Sequence, residues 1–249
     1  MPDYVEILGI KISKFKMEEA LAYLDSLIQK GQKAMVVTPN SEMIVLARKD
    51  RELARILNNA DLSVPDGAGV VMASRLLKNP LAERVAGFDL MQESLALASR
   101  KGYTVYLLGA EPGIVDLASE KIKESYPGIR ISGTHHGFLA DGLEERVLAD
   151  LNKIKPDILY VGMGVPRQEK FLDKHLKEID VKVAMTVGGS FDVLAGKVRR
   201  APLWMQRLNL EWLYRLIQEP ARIGRMLALP VFVFLVIKQY CKEKIGSLS

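Results

Sequence analysis

The stretch Thr104–Gly113, TVYLLGAEPG, sets a β-branched and apolar run directly against a Gly-Ala-Glu-Pro-Gly turn. The run reads as a buried strand, and the turn marks where the chain leaves a sheet to begin a helix. An amphipathic stretch from Gly113 to Tyr126 follows, and then a second β-branched run, IRISG (Ile129–Gly133). Strand, turn, helix and strand at this spacing form the repeating unit of a parallel sheet, because parallel neighbours need a long crossover.

The same alternation extends in both directions. Upstream, Val5–Ile12 reads as a strand or hairpin, Met17–Lys30 as a helix and AMVVT (Ala34–Thr38) as a buried strand. Ser41–Asn59 reads as helical, in one or two pieces, followed by a short strand at Asp61–Val64 and a helix at Phe88–Arg100. Downstream come a helix near Leu143–Ile154, the strand DILYVGMG (Asp157–Gly164), a helix near Arg167–Glu178 and the strand VKVAMTVGG (Val181–Gly189). The pattern predicts an α/β fold for residues 1–196, a Rossmann-like, mostly parallel sheet with helices on both faces. No internal repeat or low-complexity segment interrupts it.

After Gly196 the pattern changes. Leu203–Gln218 reads as one helix bearing Trp204, Trp212 and Tyr214 and stopped by Pro220. The apolar run MLALPVFVFLVI (Met226–Ile237) follows, with Pro230 inside it. Crossing a bilayer takes ~20 apolar residues, so this run reads as too short to span; it fits a core element, an oligomer contact or a segment in the membrane interface, and the flanking basic and aromatic residues favour the interface. From Lys197 onward ten Lys/Arg face three Glu, a balance of +7 against +5 for the whole chain. A mildly acidic body thus carries a basic, apolar C-terminal appendage over residues 197–249, and such a segment seeks phosphates.

The 249 residues are 49% hydrophobic and 26% charged, ordinary for a globular protein with one large core. A single cysteine, Cys241, excludes an internal disulfide and any cysteine-rich metal site, and fits a reducing cytoplasm. The N-terminus MPDYVEILGIKISKF carries an early acid and only short apolar runs, unlike a signal peptide.

Open α/β sheets bind ligands beyond the carboxyl ends of their strands. Those ends read TPNSE (Thr38–Glu42), VPDGAG (Val64–Gly69), LLGAEPG (Leu107–Gly113), VGMGVPRQE (Val161–Glu169) and VGGSFD (Val187–Asp192). Asp66, between a proline and a glycine-rich turn, is either a helix N-cap or a general base. Asn40 or Ser41 either caps the following helix or faces a ligand, and Glu169 fits a first-turn acid favoured by the helix dipole. GAEPG lacks the third glycine of the dinucleotide fingerprint, and SGTHHG stands where a ribose-binding acid belongs; a nicotinamide cofactor is therefore disfavoured. The adjacent His135 and His136 lack helical metal spacing and suit a turn or ring contact. No Asp-x-Asp pair occurs to hold the divalent ion of sugar-nucleotide chemistry.

TPNSEMIVLARKD, ADLSVPDGAGVVMASRLL, ERVAGFDL, LLGAEPG, VGMGVPRQE and VGGSFDVLAGKVRRAP, in this order, resemble the WecG/TagA/CpsF glycosyltransferases, nearest to the TagA type of wall teichoic acid synthesis. The match covers about residue 5 to residue 218 and is weakest in the appendage. The resemblance implies transfer of N-acetylmannosamine from its UDP conjugate to N-acetylglucosamine on undecaprenyl diphosphate, making a β-1,4 linkage with inversion. It implies no metal and no cofactor, and peripheral attachment at the cytoplasmic face of the cell membrane. Inversion needs one base, assigned to Asp66, and stabilisation of the leaving UDP. Thr38, Asn40 and Gln168 are expected to hold sugar groups and Arg84 a phosphate, with Gly109, Gly164 and Asp192 also lining the substrate site. A surface salt bridge is the ordinary reading of Arg84.

Arg215, Arg222 and Arg225, at spacings of seven and three, are expected to meet a diphosphate from one helical face, unless Pro220 breaks that helix or the face is merely solvated. The expected partners are the UDP-sugar, the lipid-linked diphosphate and the membrane surface. No nucleic acid is expected, and in solution the apolar run is expected to self-associate. Two readings compete: the same chemistry with N-acetylmannosaminuronic acid or glucose as donor sugar, and a nucleic-acid binder using the basic tail, for which no groove-reading motif is visible.

Overall fold

The computed structural model describes residues 3–140, 142–220 and 223–246. In chain order the elements are β1 (Tyr4–Ile7), β2 (Ile10–Ser13), α1 (Met17–Lys30), β3 (Ala34–Val37), α2 (Ser41–Ala47), α3 (Arg51–Asn59) and β4 (Leu62–Ser63). Next come α4 (Ala68–Leu76), α5 (Gly87–Lys101), β5 (Thr104–Gly109), α6 (Ile114–Ser125), β6 (Arg130–His135), α7 (Leu143–Ile154), β7 (Ile158–Gly162) and α8 (Arg167–His175). The chain ends through β8 (Val183–Thr186), α9 (Ser190–Leu194), α10 (Leu203–Arg207), α11 (Glu211–Gln218), α12 (Ile223–Met226) and α13 (Ala228–Gly246).

β1 and β2 form an antiparallel hairpin. The other six strands make one sheet in the order β4-β3-β8-β7-β5-β6, every neighbouring pair parallel. Alternate residues of each central strand enter separate cores. Met35, Val37, Tyr106, Leu108, Leu159, Val161 and Ala184 face α2, α3, α4, α7, α8 and the hairpin. Val36, Val105, Leu107, Ile158, Tyr160, Val183 and Met185 face α1, α5 and α6. Two buried faces explain why these strands read as unbroken apolar runs, as parallel strands between helix layers must.

Local chemistry sets the boundaries. Asn40 Oδ1 accepts from Met43 N at 2.9 Å and caps α2, so Asn40 rather than Ser41 is the cap. Asp50 accepts from Leu53 N at 3.0 Å and starts α3, dividing the helical stretch 41–59 into two pieces. Gly31 and Gly102 end α1 and α5 in the left-handed conformation that glycine adopts without penalty.

The appendage departs from two expectations. Leu203–Gln218 is two helices, α10 and α11, because Asn209 takes a positive φ of 60° between them, a conformation asparagine tolerates better than most residues. Pro230 does not interrupt the apolar run. It is the third residue of α13, within the first turn, where the N–H it lacks would have no intrahelical partner. The helical stretch Ile223–Lys244 is therefore long and apolar enough, by length and composition, to cross a bilayer, contrary to the expectation of a short run. One face of α13 is nevertheless committed to the body. Phe232 and Val236 enter the core beside α2 and α4, and Gln239 Oε1 accepts from Leu8 N at 2.8 Å in the β1–β2 turn.

Candidate active site

The carboxyl ends of β3 and β4 lie side by side and carry Thr38 and Asp66. Asp66 N–H donates to Pro39 O at 3.1 Å, and Val85 N–H donates to Pro65 O at 3.0 Å; the Asp66 turn is clamped from both sides. Gly87, the first residue of α5, approaches Thr38 so closely that a Cβ there would meet the Thr38 side chain at 2.9 Å. That glycine is needed for contact rather than for its dihedral angles, and it fixes the threonine.

Asp66 caps nothing. The cap position of α4 is Gly67, and no side chain satisfies that helix start. Of the two readings of this acid, the cap on the following helix is excluded, and the carboxylate faces Arg84 and the Gly87 N–H. Protein surrounds it on most sides, yet 28% of the side chain stays exposed. Burial pushes its carboxyl up from the ordinary value, while Arg84, then Arg215 and the Gly87 N–H, pull the other way.

Arg84 is not an isolated surface cation. Its Nη2 ion-pairs with Glu211 of α11 and lies 3.6 Å from Asp66 Oδ1. Glu211 also meets Arg200 Nε at 3.2 Å, and Arg200 Nη1 meets Asp89 at 2.6 Å. Burial alone would raise the Glu211 carboxyl, but Arg84 and Arg200 outweigh it and hold the group below its usual value. Glu211, Arg200, Asp89 and Gly87 were not singled out from sequence. The one available signal was Glu211 itself, an acid in a segment dominated by bases.

Asn40 spends its carbonyl oxygen on the α2 cap, and the cap makes no use of its amide nitrogen. Gln168 faces inward. It is buried, its Nε2 donates to Glu169 Oε1 at 2.7 Å, and its Oε1 accepts from Gly188 N at 3.0 Å. In this arrangement it ties the turn after β7 to the turn after β8 rather than presenting an amide to the cleft. Glu169 is a fully buried acid rather than a first-turn surface one, and burial pushes its carboxyl up to about 7.

Gly109 abuts the Gly162 backbone across the β5–β7 pairing, where any side chain would collide. Gly164 has a φ of +78° and faces open space after β7, as Gly188, with a φ of +53°, does after β8. Asp192, in the first turn of α9, lies 3.6 Å from Lys197, which also pairs with Glu111 of the GAEPG turn at 2.9 Å. His135 and His136 make a ring contact at 4.4 Å, and His136 meets Phe138 edge-on at 6.3 Å. Among the described residues no cluster of His, Cys, Asp and Glu has the makings of a metal site.

The tail arginines do not share one helix. Arg215 is on α11, where its charge acts on Asp66, and Arg225 is on α12, with its Nε 3.8 Å from Glu42 in the first turn of α2. Arg222 lies outside the described residues. Arg200 thus pairs with acids of the body and Arg215 acts on Asp66, while Arg225 stays largely exposed beside Glu42.

A parallel α/β sheet with a carboxylate and arginines gathered at its strand ends has the makings of a group-transfer enzyme acting on a phosphorylated substrate. Residues 5–246 match the sequence model of the Glycosyl transferase WecG/TagA/CpsF family, and the chain belongs to that family. A Bacillus subtilis (strain 168) protein is 40% identical over 211 residues, 85% of this chain and 82% of its own length. One from Staphylococcus aureus (strain MW2) is 36% identical over 242 residues, 96% of this chain and 94% of its own. Both are named N-acetylglucosaminyldiphosphoundecaprenol N-acetyl-beta-D-mannosaminyltransferase.

Proposed function

We propose that the chain transfers N-acetylmannosamine from UDP-N-acetylmannosamine to N-acetylglucosaminyl-diphospho-undecaprenol, forming a β-1,4 linkage with inversion. The observation that carries this reading is Asp66, a strand-end carboxylate that does not cap the helix following it, flanked by Arg84 and acted on by the charge of Arg215 from the appendage. The acceptor hydroxyl attacks the anomeric carbon and its proton passes to Asp66. The bond from that carbon to the diphosphate oxygen breaks on the opposite face, and UDP leaves with the electron pair. The raised carboxyl pKa makes Asp66 a stronger base than an exposed aspartate. Thr38 and Asn40 border the same cleft and are suited to sugar hydroxyls or the acetamido group. Gly164, Gly188 and Asp192 line the neighbouring strand ends, where backbone can approach the donor.

Cationic side chains take the part that a divalent ion plays in other sugar-nucleotide transferases. Of these, Arg215 acts on Asp66 through its charge and Arg225 lies beside Glu42, with Arg222 between them in sequence.

A lipid-linked acceptor places the reaction at a membrane, with the enzyme peripheral on its cytoplasmic face. With Phe232, Val236 and Gln239 held by the body, α13 has its other face free: Val231, Val233, Phe234 and Ile237 are exposed, as are Trp204 and Trp212. A helix pinned lengthwise to a globular body lies in the interface more readily than it crosses the bilayer. Off the membrane the same face supports self-association. The division into a catalytic body, 1–196, and an appendage, 197–249, follows this assignment of roles.

The deciding experiment is turnover of a short-chain N-acetylglucosaminyl lipid diphosphate with a panel of UDP-sugars, with and without chelator. Selective use of UDP-N-acetylmannosamine, undiminished after exhaustive chelation, is expected. Preference for N-acetylmannosaminuronic acid or glucose reassigns the donor. Loss with EDTA and recovery with magnesium or manganese removes the cationic leaving-group assignment.

A further inference from the structure

Five side chains of alternating charge run from the start of α5 into the cleft: Asp89, Arg200, Glu211, Arg84 and Asp66. Arg200 is held at both ends, at 2.6 Å by Asp89 and at 3.2 Å by Glu211, and its guanidinium lies 4.8 Å from the centre of the Phe88 ring. The second Glu211 oxygen takes Arg84 Nη2, the same nitrogen that lies 3.6 Å from Asp66 Oδ1. One guanidinium nitrogen is thus contested by two carboxylates, and Glu211 has the closer hold.

The two competitors belong to different parts of the molecule. Asp66 and Arg84 are in the body, whereas Glu211 arrives on α11, and no residue of α11 is buried. The charged groups facing Asp66 are Arg84 from the segment before α5 and Arg215 and Glu211 from α11. Those facing Glu211 are Arg84 and Arg200. An arginine in full contact with Asp66 would stabilise its carboxylate and weaken it as a base. An acid that draws the arginine away does the opposite, and the negative charge of Glu211 adds to the effect.

We propose that Glu211 is a positioning residue that couples seating of the appendage to the strength of the catalytic base, by drawing Arg84 off Asp66. With α11 unseated, Arg84 closes on Asp66 and the base is weak; with α11 seated, the base is strong and Arg215 is in place. Hydrolysis or transfer without a seated appendage is thereby suppressed. This inference rests on the reading of Asp66 as the base.

The test uses the full chain and two readouts: the pH profile of kcat, and titration of the Asp66 carboxyl followed by carbon-13 NMR. In Glu211→Gln the Asp66 titration and the acid limb of kcat are expected to move together, about one pH unit lower. Glu211→Asp, which keeps the charge, should recover part of the shift. An equal fall of kcat at every pH, with the Asp66 titration unmoved, overturns the proposal and leaves Glu211 a structural contact.

Because Glu211→Gln also loosens α11, Asp89→Asn provides an independent arm. It leaves Glu211 intact, commits Arg200 wholly to it and lets Arg84 shift toward Asp66, so the Asp66 titration should fall by a smaller amount. No movement in that variant overturns the coupling even if Glu211→Gln fails to fold. An Asp66→Asn enzyme with normal turnover would remove the base assignment itself. An inactive Asp66→Asn enzyme combined with unmoved titrations removes only the coupling.

Discussion

The sheet and the segment over its strand ends are held by different forces. Each residue of β3, β5, β7 and β8 that leaves one core enters the other, so those strands have two apolar faces and no solvent face. In contrast, α11 and α12 bury no residue. Polar contacts hold them: Glu211 to Arg84 and Arg200, Gln218 to the backbone of Arg199 at 2.9 Å, and Arg225 to Glu42. Beyond the buried Met205 of α10, the appendage rejoins the core at α13, through Phe232 and Val236. The body is a rigid platform, and α11 and α12 form a bridge fastened at its far end. Weakly buried elements open at low free-energy cost, which suits a segment that would admit the proposed donor and lipid-borne acceptor.

The sharpest way to break this contrast is at the platform. Asp66→Asn keeps the size of the side chain but removes its basicity. It should lower kcat by about 10²–10⁴-fold while UDP affinity, measured by calorimetry, stays near normal. Because its carboxyl pKa is raised, the wild-type acid limb should lie above the ordinary carboxylate range, with activity lost as pH falls through it.

Two residues of α13, two positions apart, separate anchoring from membrane contact. Phe232 is 2% exposed and Phe234 is 67% exposed. Phe232→Ala should cost about 3–5 kcal/mol of stability, seen by thermal or denaturant unfolding, and weaken catalysis by unfastening the bridge. Phe234→Glu should leave unfolding unchanged yet reduce binding to anionic vesicles in a sedimentation assay. If both variants lose only vesicle binding, α13 is an anchor independent of the body.

The bridge itself is probed by Arg215→Ala. If its charge serves the departing diphosphate, kcat should fall by about 10²-fold. Vesicle affinity should change only by the roughly 1 kcal/mol that one basic residue contributes at an anionic surface. A larger loss in vesicle binding than in kcat would move Arg215 from catalysis to docking.

The effect with the least bearing on turnover is within the platform, at Glu169, whose folded pKa rises from 4.5 to about 7 through burial. The folded state holds this proton more tightly than the unfolded chain does. The stability it contributes is therefore full below about pH 4.5 and lost as pH rises through about 7, a change of about 3 kcal/mol. Glu169→Gln should flatten that part of the pH dependence of unfolding. An unchanged slope would mean that the buried carboxyl ionises without penalty.

Local periodicity was legible without coordinates. The run TVYLLG and its counterparts announce two-sided burial, and the glycine-rich turns mark strand ends, because both depend on residues a few positions apart. Thr38, Asn40 and Asp66 were placed near one another by the rule that parallel strands present their carboxyl ends together. Tertiary closure decided the rest. It turned Gln168 inward, gave the α4 cap position to Gly67, kept α13 continuous through Pro230 and drew Asp89, Arg84, Arg200 and Glu211 into one chain of charge. Residues 84 and 211 lie far apart in sequence, and an ion pair leaves no periodic trace in it. Which carboxylate holds a given arginine depends on distances that exist only once the chain has folded, so the proposed base was legible in the sequence and the group proposed to tune it was not.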